Sequence, residues 1–424
     1  MDLGDNYDAI VIGGGASGLA AALTATRRGL RTCILERDVS CGLKILATGN
    51  GRCNLSNVSL DSGHYLHPGF AKATMGETPE KELELFFTSL GILTAREDDR
   101  LYPHSFRAES VRDALLRACR RAGVDIVCGA SVRAASKSAD GIWTLTIDRP
   151  AGKLRLKSQR DQKAELRARR RALAEAAMTR ESTSARHVII AVGDAIEAVA
   201  PIFDLPCTSP SPVLCPVRAS VPGTDDALTA LSGFRAHAGL SLRRGRETLW
   251  SELGEILFRP FGISGVVVFN LSRRARKGDT ALVDFFPDLD GKNLHRLLSQ
   301  RTETLGAFSA QDPSWFDGLL APALARVVCN ICEQRHPGTK DVIHLVHILK
   351  GFKLDITGLA TDQPAQVSRG GVPIQTVKAP GLTCVSPALA GISVCGEALD
   401  MDADCGGFNL AWAWLSGIHA ANTL

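Results

Sequence analysis

The chain opens on an unbroken apolar run and then changes period. "YDAIVIG" (7–13) is short and β-branched, as a strand covered on both faces requires. "ASGLAAALTATRRG" (16–29) follows with helix formers and small residues, and Gly29 stops it. "RTCILER" (31–37) is a second buried strand. Strand, glycine turn, helix and strand in quick succession make a βαβ unit. The pattern then predicts helices at 79–91 and 109–122, a third strand in "VDIVCGASV" (124–132) and a half-buried one in "GIWTLTID" (141–148). "ARHVIIAVG" (185–193) is again continuous and buried. Pro201 to Pro222 is rich in Pro and Ser and reads as a boundary. Beyond it, to about residue 350, short strands in "TLWSELGEILF" (248–258) and "GVVVFNLS" (265–272) mix with helices near 291–306 and 317–335. Strand and helix signals return in "LAGISVCGEALD" and "GGFNLAWAWLSGIHAANTL".

Gly13-x-Gly15-x-x-Gly18, enclosing Ala16 and Ser17, stands after the first strand and opens the first helix. Gly13 permits the turn, Gly15 lets backbone N–H groups approach a pyrophosphate, and Gly18 allows close helix–strand packing. Glu36 closes the second strand, where a carboxylate accepts hydrogen bonds from an adenosine ribose. Together these predict dinucleotide binding. Two later stretches favour FAD over NAD. "HVIIAVGD", with Gly193, is similar to the strand-and-glycine element that flavoproteins place behind the dinucleotide. "GISVCGEALD", with Gly396 and Glu397, resembles the late strand whose end meets the ribityl chain. No second glycine fingerprint occurs, so an NAD(P)H donor is expected only as a transiently docked reductant.

Composition adds few constraints. Apolar residues make up 45% and charged residues 22%, as in ordinary globular proteins, and the formal net charge is +4. Residues 153–187 hold eleven Lys/Arg against four Asp/Glu, so the remainder sums to −3 and nucleic acid is not an expected partner. That basic stretch, 153–186, lacks a large apolar face and reads as a solvated helical excursion. The only close pair among twelve cysteines, Cys329 and Cys332 near His336, lies on an apolar helix stripe rather than in a metal-ligand pattern. No basic-then-apolar leader opens the chain. Ala9 to Thr26 is eighteen residues without a charge, but its glycines favour strand, turn and helix over a membrane span. A soluble, cytoplasmic protein with reduced thiols and a small-molecule substrate is expected; its oligomeric state is not readable.

"GLKILATGNGRCNLSN", "RLYPHSFRAESVRDALL", "GEILFRPFGISG" and "GEALDMDADCGGFNLAWAW" occur in this order, and as a set resemble the BaiN/YhiN-like flavoproteins, the aminoacetone-oxidase family. The resemblance implies an FAD-dependent oxidoreductase of α/β class: a Rossmann-like FAD-binding domain with an inserted β-rich plus helical substrate domain. The segments would be 1–200 and 351–424 for the former and 201–350 for the latter. It further implies that Lys44, Thr48, Gly49, Gly51, Arg52, Cys53 and Asn54 wrap the diphosphate and flavin, and that Val132 meets adenine. Gly406, Gly407, Asn409 and Leu410 would bring the last helix to the flavin pyrimidine edge. Tyr102, His104 and Arg107 are candidates for proton donation and oxyanion stabilisation, and Ser264 and Gly265 for shaping the pocket. Arg259 and Pro260 replace the Thr and His of the family's usual "FTHxGxSGP" pattern. The activity implied is hydride transfer between flavin N5 and a small organic or steroid-like substrate, as in NAD(P)H-dependent reduction of an enone C=C. Alternatives are an amine oxidase using O2, or an FAD-binding scaffold without turnover.

Overall fold

The computed structural model describes residues 4–152, 162–363 and 365–424. It divides into two compact units, one formed by residues 1–211 with 367–424 and the other by residues 212–366.

The first unit is built on a nine-stranded sheet. At its centre, Asp125–Cys128, Thr32–Glu36, Asn6–Ile12, Met178–Ile190 and Ile392–Val394 run parallel in that order. Ile10 faces Cys33 on one side and Val188 on the other, and all three are fully buried. Strands covered on both faces need such β-branched runs. The C-terminal helix Phe408–Asn422 is apolar nearly all round, burying Trp412, Trp414, Leu415 and Ile418. It lies so close to the first helix, Ala16–Arg27, that a Cβ on Gly417 would stand 2.3 Å from Ser17 O.

The basic stretch departs from the expected solvated helix. Residues 153–161 lie outside the described residues. Gln162–Ala174 is helical but tied down: Arg170 pairs with Asp38, Arg169 Nη2 donates to Val39 O (3.2 Å), and Leu173 packs at Gly129. From Met178 the chain is already strand, and its first half pairs antiparallel with Trp143–Pro150. Its alternating polar residues suit a sheet with one wet face, a signal that the surrounding arginines obscured.

The second unit is a closed antiparallel barrel in the order Val217–Ser220, Gly262–Ser264, Glu247–Arg259, Arg235–Arg244, Thr280–Asp284, Phe352–Leu359. Leu240, Leu242, Ile256, Phe258, Ile263, Leu354 and Ile356 are buried in its core. Because Phe352–Leu359 closes the barrel, residues 351–366 fall in this unit rather than with the C-terminal segment. "GVVVFNLS" is a second correction: Val266–Ser272 is a helix, not a strand. Gly265, at φ +115, leaves no room for a Cβ (2.4 Å from Glu255 O) and turns the chain off the barrel. Val267, Val268 and Leu271 are buried at helical spacing, so packing overrides β-propensity. Helices Gly291–Leu305, Pro322–Arg335 and Ile343–Lys350 complete the unit, with Cys329 and Cys332 buried in the second of these. Among the described residues no helix is long and apolar enough to cross a membrane. The uncharged stretch from Ala9 is divided between a strand and a helix.

Candidate functional site: a dinucleotide cradle and its ring end

The cradle begins where the first strand ends. A Cβ on Gly13 (φ +100) would lie 2.5 Å from Ala191 O, and one on Gly18 would lie 1.9 Å from Gly13 O. Those two glycines are demanded by the chain's own packing. Gly15 is different: among the described residues a Cβ there meets nothing within 4 Å. Its φ of −76° is open to any residue, and it caps the first helix with no side-chain hydrogen bond and no acid in the first turn. The exposed backbone at a positive helix end therefore fits a pyrophosphate. Glu36 is fixed beneath this turn, its Oε2 accepting from Gly14 N–H and its Oε1 from Asp38 N–H, each at 2.7 Å. Each oxygen keeps a lone pair for a ribose hydroxyl. The residues present thus fit a bound dinucleotide.

The loop from Lys44 departs from helix at Thr48 and passes through left-handed conformations at Gly49, Asn50, Gly51 and Cys53 (φ 56, 54, 82 and 58). Two of those four are not glycine, an uncommon state that neighbouring bonds must hold in place. Cys53 N–H donates to Thr48 O (3.0 Å), and Thr48 Oγ1 to Ile45 O (2.7 Å). Cys53 is fully buried, and burial pushes its thiol up to about 11, against the Thr48 hydrogen bond, so it stays protonated at neutral pH. Lys44 Nζ reaches Glu397 (2.7 Å) and Asp194 (3.5 Å), linking the loops that follow the second strand, Met178–Ile190 and Ile392–Val394. Desolvation lowers the Lys44 pKa, but the two carboxylates outweigh it and hold the ammonium above its ordinary range.

After the loop, Ser56–Asn57 pairs with Arg100–Pro103, and the chain meets the approach to the last helix. Asn54 donates to Ser56 O (2.9 Å) and Leu101 O (3.2 Å) and accepts from Gly407 N–H (3.1 Å). Asn57 Nδ2 donates to Gly406 O (3.1 Å), and Trp414 Nε1 to Leu55 O (3.1 Å). The run 400–404 carries three alternating aspartates, each holding another segment. Asp400 accepts from Gly370 N–H (2.8 Å), and the fully buried Asp402 takes Arg369 at 2.6 and 3.0 Å. Asp404 lies 3.1 Å from His64 Nδ1. Segments more than three hundred residues apart thus converge on the N-terminus of the helix Phe408–Asn422.

A family profile described as the HI0933-like protein Rossmann domain matches residues 7–423 of this chain. The chain belongs to the HI0933-like family. It is an FAD-dependent oxidoreductase. The chain is 30% identical to the 3-dehydro-bile acid delta(4,6)-reductase of Clostridium scindens, with 97% of each chain covered. It is 22% identical to the ribosomal RNA dihydrouridine synthase of Escherichia coli K12 (99% of this chain, 98% of that one). With the enzyme of the same name from Haemophilus influenzae it shares 23% (97% of each).

In this HI0933-like protein the expected site residues fall into two groups. Gly13, Gly15, Ala16, Ser17, Gly18, Glu36, Gly193, Gly396 and Glu397 stand at the strand ends of the sheet, around the first turn. Gly49, Cys53, Asn54, Gly406, Gly407 and Asn409 serve largely to lock backbone. Asn409 holds Ala403 through both amide atoms (2.9 and 2.8 Å), and Leu410 packs on the core. Val132 is buried opposite Ile147. Arg52 pairs with the Glu97 carboxylate through two nitrogens and lies over the Tyr102 (4.4 Å) and Phe106 (4.7 Å) rings. Tyr102 is buried, whereas His104 and Arg107 are exposed on the turn beyond it. Sequence reasoning passed over His64, Asp402, Asp404 and Arg369; the alternation of aspartates in "DMDAD" was the available signal.

Proposed function

We propose that this HI0933-like protein reduces a carbon–carbon double bond conjugated to a carbonyl, drawing electrons from a nicotinamide donor that docks transiently. What supports this reading is the end-to-end match at 30% identity to an enzyme named for reducing such bonds in a 3-dehydro bile acid. The more distant relatives point the same way, since dihydrouridine is uridine whose carbonyl-conjugated C5=C6 bond has been reduced. Bound FAD supplies the hydride. The chain holds the cofactor through the Gly15 turn and Glu36, and it collects polar groups at the ring end. A flat cyclic enone of small-molecule size is the substrate class, and the site residues proposed for FAD are those of the cradle.

A uracil base within RNA is the second reading, favoured by the two dihydrouridine synthases matched over nearly the whole chain. Anaerobic titration of the yellow holoprotein separates these readings. NADH or NADPH should bleach the flavin and an enone such as progesterone should restore it. Recovery only with a uridine-containing RNA would shift the reading to that substrate. Bleaching by small amines and not by nicotinamides would replace both with amine oxidation.

A further inference from the structure

The ring end holds a histidine–carboxylate pair to which the proposed reduction has not yet given a task. His64 Nδ1 and Asp404 Oδ2 are 3.1 Å apart; the carboxylate is 11% exposed and the imidazole 44%. The two residues do not merely touch. Asp404 N–H donates to His64 O (3.0 Å), Leu66 N–H donates to Asp402 O (2.8 Å), and Tyr65 bridges Ala403 antiparallel between them. Phe408, the first residue of the last helix, stacks on the imidazole at 4.1 Å and 17°. Tyr65 Oη donates to Phe408 O (3.2 Å), and Asn409 pins Ala403. The ring is therefore fixed along one edge, across one face and through the backbone on both sides, while nearly half of it stays open.

That arrangement suits proton transfer better than simple cross-linking. A carboxylate against Nδ1 takes up that nitrogen in a hydrogen bond and orients the ring, so exchange with a substrate runs through Nε2. A tie between two loops needs no ring stacked in one orientation, and it gains nothing from leaving the basic partner half in water.

Resting on the reductase reading, we propose that His64 is the proton donor of the reaction and Asp404 the residue that positions it. As a hydride forms the new C–H bond at the β-carbon, the π pair of the C=C bond moves toward the carbonyl as an enolate. The Nε2 proton of His64 forms the C–H bond at the α-carbon, and the neutral imidazole recovers a proton from solvent. The enone gains two electrons and the nicotinamide donor loses two.

Stopped-flow mixing of dithionite-reduced holoenzyme tests this. With progesterone or 2-cyclohexenone, His64→Gln should slow flavin reoxidation by on the order of 100-fold. Ferricyanide, which takes electrons without protonating carbon, should reoxidise the variant within about twofold of wild type. FAD affinity and the visible spectrum should stay as in wild type. Asp404→Asn should slow the enone step less, and ring-15N NMR of the oxidised holoprotein should show His64 losing its fixed Nδ1–H tautomer. Equal enone rates in wild type and His64→Gln would overturn the proton donor while leaving the reductase intact. So would loss of FAD from His64→Gln, which would mark the ring as structural. A wild-type reduced flavin that no enone reoxidises would overturn the reductase reading and the donor with it.

Discussion

The two ends of the cradle are built by opposite means. The proposed phosphate end comes mainly from one contiguous stretch, Gly13 to Glu36, in which backbone amides would do the binding and glycines make room. The ring end comes from segments around residues 54–66, 369 and 400–409, and side chains hold it: Asn54, Asn57, Arg369, Asp402 and Asn409. One end depends on local conformation, so its failures are steric and immediate. The other depends on long-range polar ties, so its failures are graded and repairable. A dinucleotide laid across both would join a rigid anchor to a tunable reaction chamber.

Substitution of the fingerprint glycines is the severest test. Gly18→Ala places a methyl 1.9 Å from Gly13 O, where backbone must move. We expect at least about 3 kcal/mol of destabilisation and no retained flavin. Gly15→Ala meets no atom of the described residues within 4 Å, so thermal stability of the apoprotein should be nearly unchanged. FAD affinity should nevertheless drop by on the order of 100-fold, as a methyl intrudes on the pyrophosphate. Melting curves and flavin titrations of both variants decide it; a Gly15→Ala protein that binds FAD normally would remove the pyrophosphate from this turn.

At the other end, Asp402→Asn breaks an ion pair whose carboxylate is fully buried. Burial lowers the Arg369 pKa, but Asp402 outweighs it and holds the guanidinium firmly charged, so the lost partner is not replaced by deprotonation. Arg369 keeps some access to water at 31% exposure, which places the cost near the low end, about 3 kcal/mol. Urea unfolding should show it. Asn54→Ala removes the acceptor from Gly407 N–H and should cost about 1–2 kcal/mol, with a blue-shifted or broadened flavin band as the helix end loosens. An unchanged spectrum in both variants would show that these ties lie away from the ring.

This contrast also explains what could be read from the chain. The βαβ unit, Gly13–Gly18 and Glu36 were legible because their pattern is written in one short stretch, even though Gly13 is also hemmed in by the distant Ala191 O. The loop from Lys44 was recognisable by type, but its work was not: Arg52 faces Glu97 and aromatic rings, and Asn54 grips Gly407, contacts that span up to 353 positions. His64 carries no local signature at all, since its meaning comes from Asp404 and Phe408. The helix Val266–Ser272 and the strand from Met178 were misread for the same reason, tertiary packing outweighing composition.

The smallest effect belongs to the basic helix, which leans on the phosphate end from outside. Arg170 Nη2 lies 2.5 Å from Asp38 Oδ2, and Asp38 also accepts from Val39 N–H at 2.7 Å. Burial raises the Asp38 pKa, but Arg170 and the Val39 N–H outweigh it and hold the carboxyl below the usual range. A depressed folded value means stabilisation that is complete above the unfolded pKa, near 4, and lost as pH falls through the folded value. Arg170 is 53% exposed, so solvent screening keeps the contribution below about 1 kcal/mol. Global melting should barely register it. Hydrogen exchange, corrected for intrinsic rates, should show Gln162–Ala174 less protected at pH 3 than at pH 6 in wild type, and equally protected at both in Arg170→Gln. Because Asp38 lies two residues beyond Glu36, loosening this helix should leave FAD affinity within about twofold if the Gly15 turn is the true anchor. A larger loss would mean that the cradle extends out to the basic helix, and that its rigid end is less self-contained than the glycines alone imply.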